Sequence, residues 1–343
     1  MSSLDAALRQ LPKHADPTAP LLVVENLKTH FTLGDATVHA VDGVSFQLAE
    51  GEALGIAGES GCGKTTTALS IVRVLPGNAR IVDGSIRYRG IDLVEKSDNA
   101  LSRYRWREIA LVFQGAMNAL NPVHRIRDQI AEPLVERLGV PEKDARRRAG
   151  ELLELVGIPR KRGSAYPHEL SGGMRQRAVI AMALACRPAI VIGDEPTTAL
   201  DVMVQAQVLR LLRDLQATFG LAVVFITHDL STLAAVCRRL AVMYAGRIVE
   251  EGPSRDVFAG AAHPYTRALA AAFPVIGDPA FRMRPSGLPG DPPDPRDLPS
   301  GCPFHPRCPV VRPVCPHTAV ELWDAGPERR AACVEVLADE APG

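Results

Sequence analysis

The sequence predicts an α/β fold: a core with parallel strands, an antiparallel β subdomain ahead of it, an inserted α-helical subdomain and a C-terminal Cys-rich extension. Three observations predict this. Short apolar runs at residues 53–57, 189–192 and 222–226 alternate with helical stretches, as the strands of a parallel sheet do. Residues 125–157 are rich in Glu, Arg and Leu at helical spacing and separate two such α/β halves. Four of the seven cysteines, Cys302, Cys308, Cys315 and Cys333, lie beyond a proline-rich stretch near the C-terminus.

The chain has 343 residues, 46% of them hydrophobic, enough for one large domain and a smaller appendage. Lys plus Arg equals Asp plus Glu at 39 each, so no bulk charge points to nucleic acid or to an anionic membrane surface. The first 20 residues carry charges and prolines and lack the apolar core of a signal peptide, which predicts a protein inside the cell. The most apolar stretch, residues 178–193, is broken by Arg187 and Pro188, so attachment to a membrane would have to come through partners. No internal repeat is present. We read residues 1–20 as a tail, 21–260 as the main domain with its helical insertion at about 115–185, and 261–343 as the extension.

Residues 21–50 form two β-rich runs broken by Gly34-Asp35, a hairpin signal. The strand at 53–57 then runs into Gly58-Glu59-Ser60-Gly61-Cys62-Gly63-Lys64-Thr65, followed by a helix from Lys64 to Leu75 that Pro76-Gly77 stops. This is G-x-x-x-x-G-K-[ST] in the strand–loop–helix setting the motif demands, and a chance glycine-rich turn is the weaker reading. Glycines let successive N–H groups converge on phosphate oxygens, and the helix N-terminus adds partial positive charge. Lys64 is expected to reach the β- and γ-phosphates, Thr65 to supply a hydroxyl to Mg²⁺, and Gly58, Ser60, Gly61, Cys62, Gly63 and Thr66 to line the nucleotide. Cys62 occupies a free position of the pattern and reads as a small filler rather than a redox sensor.

Residues 189–196 are an apolar strand ending in Asp194-Glu195. Alone such a pair is a solvated turn; downstream of a phosphate loop, Asp194 is expected to hold Mg²⁺ through water and Glu195 to polarise the attacking water. Ser171 with Gly172-Gly173 opens a helical run, an ordinary N-cap and also a second anion-binding end. Gln114, Asp201 and His228 each follow a strand or precede a helix, and singly would read as a surface glutamine, an N-cap and a structural histidine.

Together, in this order, these residues resemble the ABC superfamily, with Leu170-Ser171-Gly172-Gly173-Met174-Arg175-Gln176 as its signature motif. The resemblance implies a P-loop ABC-type ATPase with a RecA-like core, in which Gln114 senses Mg²⁺ and water, Asp201 communicates across a dimer and His228 contacts the γ-phosphate. It implies that Ser171, Gly172 and Gly173 bind ATP held by an opposite subunit, and that an aromatic residue ahead of the phosphate loop, here Phe31, stacks on adenine. Tyr166-Pro167-His168-Glu169-Leu170, Thr197 to Val202, His263 to Leu269 and Gly301 to Pro309 narrow the likeness to the D-type ATPase subunits of dipeptide and oligopeptide importers; F-type subunits usually carry Gln where this chain has Met174. Such a subunit hydrolyses ATP as a translocase on the cytoplasmic face of the membrane. Its implied partners are an F-type ATPase subunit, two permease subunits and an extracytoplasmic peptide-binding protein. Nickel, glutathione or another small solute is the alternative cargo, and an ABC ATPase outside transport the more distant reading. A module that had lost hydrolysis would not retain Lys64, Asp194, Glu195 and His228. Gly115-Ala116 stands where the family usually has Asp-Pro, and Gly193 where Ala is common; the first bears on coupling to the membrane subunits.

The spacing Cys302-x5-Cys308-x6-Cys315-x17-Cys333 is not the paired pattern of zinc ribbons, yet four thiolates in a proline-stiffened segment suit a metal. Residues 285–299 hold six prolines and are expected to act as a stiff linker to this tail. The resemblance favours a [4Fe-4S] cluster over zinc and over unmetallated thiols or a disulfide, in a structural or docking role.

Overall fold

The computed structural model describes residues 16, 18–113, 115, 119–197, 200–272, 288, 290–319 and 321–338. In chain order the elements that position the site are β1 (Leu22–Leu33), β2 (Ala36–Leu48), β3 (Ala53–Ala57), α1 (Lys64–Val72), β4 (Ala79–Tyr88), β5 (Ile91–Asp92), α2 (Asp98–Leu101) and β6 (Ile109–Val112). There follow α3 (Ile126–Leu138), α4 (Glu142–Leu155), α5 (Gly172–Ala183), β7 (Ile190–Asp194), α6 (Val202–Phe219), β8 (Ala222–Thr227) and α7 (Leu230–Val236). The chain closes with β9 (Arg239–Tyr244), β10 (Arg247–Pro253), α8 (Ser254–Ala259), α9 (Pro264–Ala272), β11 (Trp323–Asp324), β12 (Arg330–Ala331) and α10 (Val334–Ala338). Two units make up the chain: Met1–Leu22 with Leu48–Glu52 and Arg87–Val224, and Val23–Gln47 with Ala53–Ile86 and Phe225–Gly343.

In the first unit β6 and β7 pair in parallel, Ile109 opposite Ile190 and Val112 opposite Gly193. Both strands are apolar almost throughout because each is covered on two faces. The helices α3, α4 and α5 come from the segment that the sequence marks as a helical insertion. In α4, Ala145, Ala149, Leu152 and Leu153 are buried at one face, while Arg146–Glu142 and Arg147–Glu151 pairs at i,i+4 spacing dress the other. Gln129 of α3 is buried and locks the preceding loop: its carbonyl accepts from the N–H of Asn121, and its amide donates to the carbonyls of Asn121 and His124.

In the second unit β2, β1 and β4 lie side by side in one sheet, and β3 pairs in parallel with β9, Leu54 opposite Arg239 and Ala57 opposite Val242. Next to them β9, β10, β12 and β11 pair antiparallel in succession, so the C-terminal extension adds strands to the same layer as β3. All five residues of β3 are buried, which aims its C-terminal end, and the glycine-rich loop after it, from a fixed support. Helix α1 ends at Val72 rather than Leu75. Arg73 takes the left-handed conformation at φ +50°, and the N–H groups of Arg73 and Val74 turn back to the carbonyls of Ser70 and Leu69. The helix is closed before Pro76 can act.

Candidate active site

The glycines of the phosphate loop are required by its shape. Gly58 and Gly63 have φ of +151° and +105°, and a Cβ on either would sit 2.3 Å from a backbone carbonyl oxygen, of Met243 and of Ala40 respectively. No side chain can occupy those positions without moving the loop. The loop closes on itself through Cys62 N–H to the Glu59 carbonyl (3.3 Å), and β10's turn fastens it through Gly246 N–H to the Cys62 carbonyl (3.0 Å). Lys64 is buried, its ammonium donating to the carbonyls of Gly58 (2.7 Å) and Glu59 (2.8 Å), which aims it along the inner rim where phosphates are expected. Thr65 is exposed and Thr66 half-buried at the start of α1, with Ser60 and Gly61 exposed on the loop. Burial pushes the Cys62 thiol up, against the opposing pull of Lys64, and its sulfur lies 3.6 Å from the ammonium. This is a packed, weakly nucleophilic thiol, as its reading as a filler implies.

Asp194 ends β7 with 2% of its surface exposed, and Glu195 follows in a left-handed conformation at φ +46°. A left-handed backbone is uncommon for a residue other than glycine and marks a tight turn at the end of this strand. Ser171 caps α5, its hydroxyl accepting from the N–H of Met174 at 3.3 Å, and Gly173 packs so closely on Val204 that a Cβ there would meet its methyl at 2.6 Å. Asp201 caps α6 through the N–H of Val204 at 3.0 Å. Gly193 sits against Pro196, where a Cβ would lie 3.2 Å from the ring. His228 is exposed directly after β8, ahead of Asp229, which caps α7 through the N–H of Thr232 at 3.1 Å. The expected role of Gln114 falls outside the described residues, as do Ala116, Thr198 and Ala199. Asp194 and Thr65 offer only hard oxygen donors, the chemistry that suits Mg²⁺.

Phe31 is half-buried on β1. Beside it, the rings of His30 and His39 meet tilted, their centres 4.1 Å apart, across the β1–β2 hairpin, and with Asp42 they are the only group of three potential metal-ligating side chains within 4.8 Å of one another among the described residues. The Asp42 carboxylate is already held by Arg247 through two N–H bonds, of 3.1 and 2.6 Å, and staples β2 to β10.

The tail is packed against the loop rather than tethered from it. Pro292, Pro293, Pro295 and Leu298, from the stretch expected to be a linker, line one cavity together with Glu59, Ser60, Gly61 and Cys62. Prolines that fix an extended backbone serve here as a wall. Cys302, Cys308, Cys315 and Cys333 line a second cavity with His263, Phe304 and Glu335. All seven cysteines are free thiols, and no three of the tail's sulfurs lie within 4.8 Å of one another. Burial pushes the thiol of Cys302 up and that of Cys333 up to about 11. Arg307, between Cys302 and Cys308, reaches the loop and forms an ion pair with Glu59; no spacing in the sequence announces that contact.

Comparison with known proteins agrees with this geometry. The ABC transporter family model matches residues 41–198, and the model of the oligopeptide/dipeptide transporter C-terminal region matches residues 249–315. A Sinorhizobium fredii protein named as a probable peptide ABC transporter ATP-binding protein is 48% identical over 326 residues, covering 93% of this chain and 96% of its own. The oligopeptide transport ATP-binding protein OppD of Salmonella typhimurium is 43% identical over 333 residues, 96% of this chain and 97% of its own. Among solved structures, a dimeric ATP-binding cassette in a post-hydrolysis state with ADP and Pi superposes with a TM-score of 0.61 at 28% identity, over 68% of this chain and 99% of that one. A Clostridium perfringens component of an ABC transporter complex gives 0.62 at 28% identity, over 71% and 92%. Phosphate loop, strand-end carboxylates, capped signature helix and C-terminal extension thus come together in one chain, which belongs to the ATP-binding subunits of oligopeptide/dipeptide-type ABC transporters.

Proposed function

We propose that this subunit binds Mg-ATP through Gly58 to Thr66 and Asp194, and that Glu195 orients and polarises the water that attacks the γ-phosphate. The observation that carries the reading is the phosphate loop itself, whose glycine conformations and buried Lys64 ammonium form the cradle that phosphate binding requires. In this reading Ser171, Gly172 and Gly173 meet ATP held by another ATPase subunit, Asp201 communicates across that contact, His228 and Gln114 sense the γ-phosphate and Mg²⁺, and Phe31 stacks on adenine. ATP closes the pair of ATPase subunits, and hydrolysis releases it. The partner is an F-type ATPase chain, on the strength of Met174, and the pair drives two permease subunits supplied by an extracytoplasmic binding protein. The cargo is peptides, supported by the names of the relatives and by the matched C-terminal region. The subunit is proposed to sit peripherally at the cytoplasmic face, supported by the ATP-binding subunits it is similar to. Glu195→Gln in the assembled transporter tests the assignment: ATP binding is retained and turnover lost, and unimpaired turnover would refute it.

The four tail cysteines are proposed to hold a [4Fe-4S] cluster. Support comes from their sharing one cavity and from four thiols being the donor set such a cluster takes. Bound there, the cluster would supply a covalent cross-link between three segments of the tail, with the Arg312 N–H donating to the Cys315 sulfur at 3.4 Å. Iron and sulfide analysis of anaerobically purified protein decides between the metals.

A further inference from the structure

The phosphate loop carries one carboxylate that phosphate binding does not call for. Both oxygens of Glu59 accept from Arg307, Nη1 at 2.7 Å and Nη2 at 3.0 Å, a two-pronged contact that fixes direction as well as distance. The backbone N–H of Glu59 donates to the hydroxyl of Tyr265 at 2.8 Å. These partners stand 248 and 206 positions downstream. Arg307 is itself seated firmly: its side chain is 7% exposed, Nη1 also donates to the Tyr244 hydroxyl at 3.4 Å, and the guanidinium lies 5.9 Å from the centre of the Tyr244 ring. Phe304, in the same turn of chain, packs edge-on against Tyr244 at 5.3 Å and Tyr265 at 5.4 Å.

Lys64 currently spends its ammonium on the carbonyls of Gly58 and Glu59. An arriving triphosphate competes for that same ammonium. Besides the Cys62 N–H within the loop, what then holds Glu59 and the first corner of the loop is Arg307 from the tail and Tyr265 from α9. Arg307 is also the residue next to Cys308, with Cys302 five positions before it, and both cysteines line the thiol cavity. Anything that draws Cys302 and Cys308 together or releases them moves the base of the arginine.

We propose that Arg307 is a positioning residue for nucleotide binding: it anchors Glu59 of the phosphate loop and so ties ATP affinity to the occupancy of the cysteine cavity. The second half of this statement rests on the iron–sulfur reading; the first does not. In the assembled transporter with ATP as the probe, Arg307→Gln raises the KM for ATP about tenfold, the loss of roughly one charge-assisted contact, while kcat stays within about twofold. Glu59→Gln raises KM similarly, the double variant is no worse than either single one because both break the same link, and Arg307→Lys recovers part of the affinity. Melting temperature and assembly are measured alongside, since a merely structural loss would lower these without separating KM from kcat. A folded, assembled Arg307→Gln transporter whose KM stays within about twofold of the unmodified one, or additive effects in the double variant, overturns the positioning role. For the cavity, Cys308→Ser with its iron lost, followed by absorbance, raises KM in the same direction and adds nothing in the Arg307→Gln background. If iron is lost and KM holds, the link to the cavity fails and the arginine's role stands. If the unmodified protein holds no iron, the iron–sulfur reading fails while the Arg307→Gln result is still decisive for the arginine.

Discussion

Replacing Arg329 with methionine tests how the C-terminal extension is attached. Glu250 of β10 is fully buried, and its carboxylate accepts from Nε of Arg329 at 3.0 Å, Nη2 of Arg329 at 2.7 Å, and the backbone N–H groups of Ala262 and His263 at 2.9 Å each. The variant leaves the Glu250 carboxylate in the interior with its two backbone donors and without the guanidinium. Breaking a buried pair in this way costs about 3–5 kcal/mol, and the remaining donors place this case near 3. With an unfolding entropy of about 2.1 cal/mol/K per residue, 343 residues give about 0.7 kcal/mol/K, so a cooperative transition shifts down by about 4 °C. The neighbouring pair on the same ladder, Arg330 with Glu251, provides the internal comparison: Arg330 is 53% exposed, so water can take its place at Glu251 and Arg330→Ala costs less than Arg329→Met. Thermal melts followed by circular dichroism at neutral pH measure both. A drop below about 1 °C for Arg329→Met, or equal drops for the two variants, would refute the argument that burial sets the difference.

Gly63→Ala forces a Cβ to 2.3 Å from the Ala40 carbonyl at a φ of +105°, and abolishes ATP binding in equilibrium dialysis while the rest of the chain stays folded. Tyr88→Phe removes the hydroxyl that donates to Glu108 at 2.7 Å, and costs about 1–3 kcal/mol at neutral pH. Burial holds the Glu108 carboxyl above its ordinary range, and the Tyr88 bond opposes this by favouring the ionised form. A raised folded-state value means that protonation at low pH favours the fold and ionisation at higher pH costs it. Urea melts should therefore show a larger penalty for Tyr88→Phe at pH 7 than at pH 4, and a pH-independent penalty would contradict the assignment. Ser171→Ala removes the side-chain cap of α5, lowers stability by about 1 kcal/mol in the same melts and reduces ATPase of the assembled pair; unchanged ATPase would count against the proposed contact with the opposite nucleotide.

The chain's sequence by itself determined most of what depends on a few consecutive residues. Gly58 and Gly63 announce a loop only glycine can form, and Ser171 and Asp201 announce helix starts. The apolar run into Asp194-Glu195 announces a buried strand that ends in acid, because such conformations depend on a few consecutive residues. Even there the local reading erred where the backbone had a choice: α1 stops at Val72 because Arg73 turns left-handed, a conformation no proline signals. Only the tertiary structure decided how the extension is used. The proline stretch reads as a linker from composition, yet Pro292 to Leu298 wall the phosphate loop, and Arg307 reads as one more charge between cysteines until the fold sets it on Glu59. The physical reason is distance along the chain. A contact spanning 248 residues leaves no period, cap or turn in the sequence; it exists only because antiparallel pairing of β10 with β12 and the packing of Phe304 on Tyr244 and Tyr265 carry the tail back to the loop.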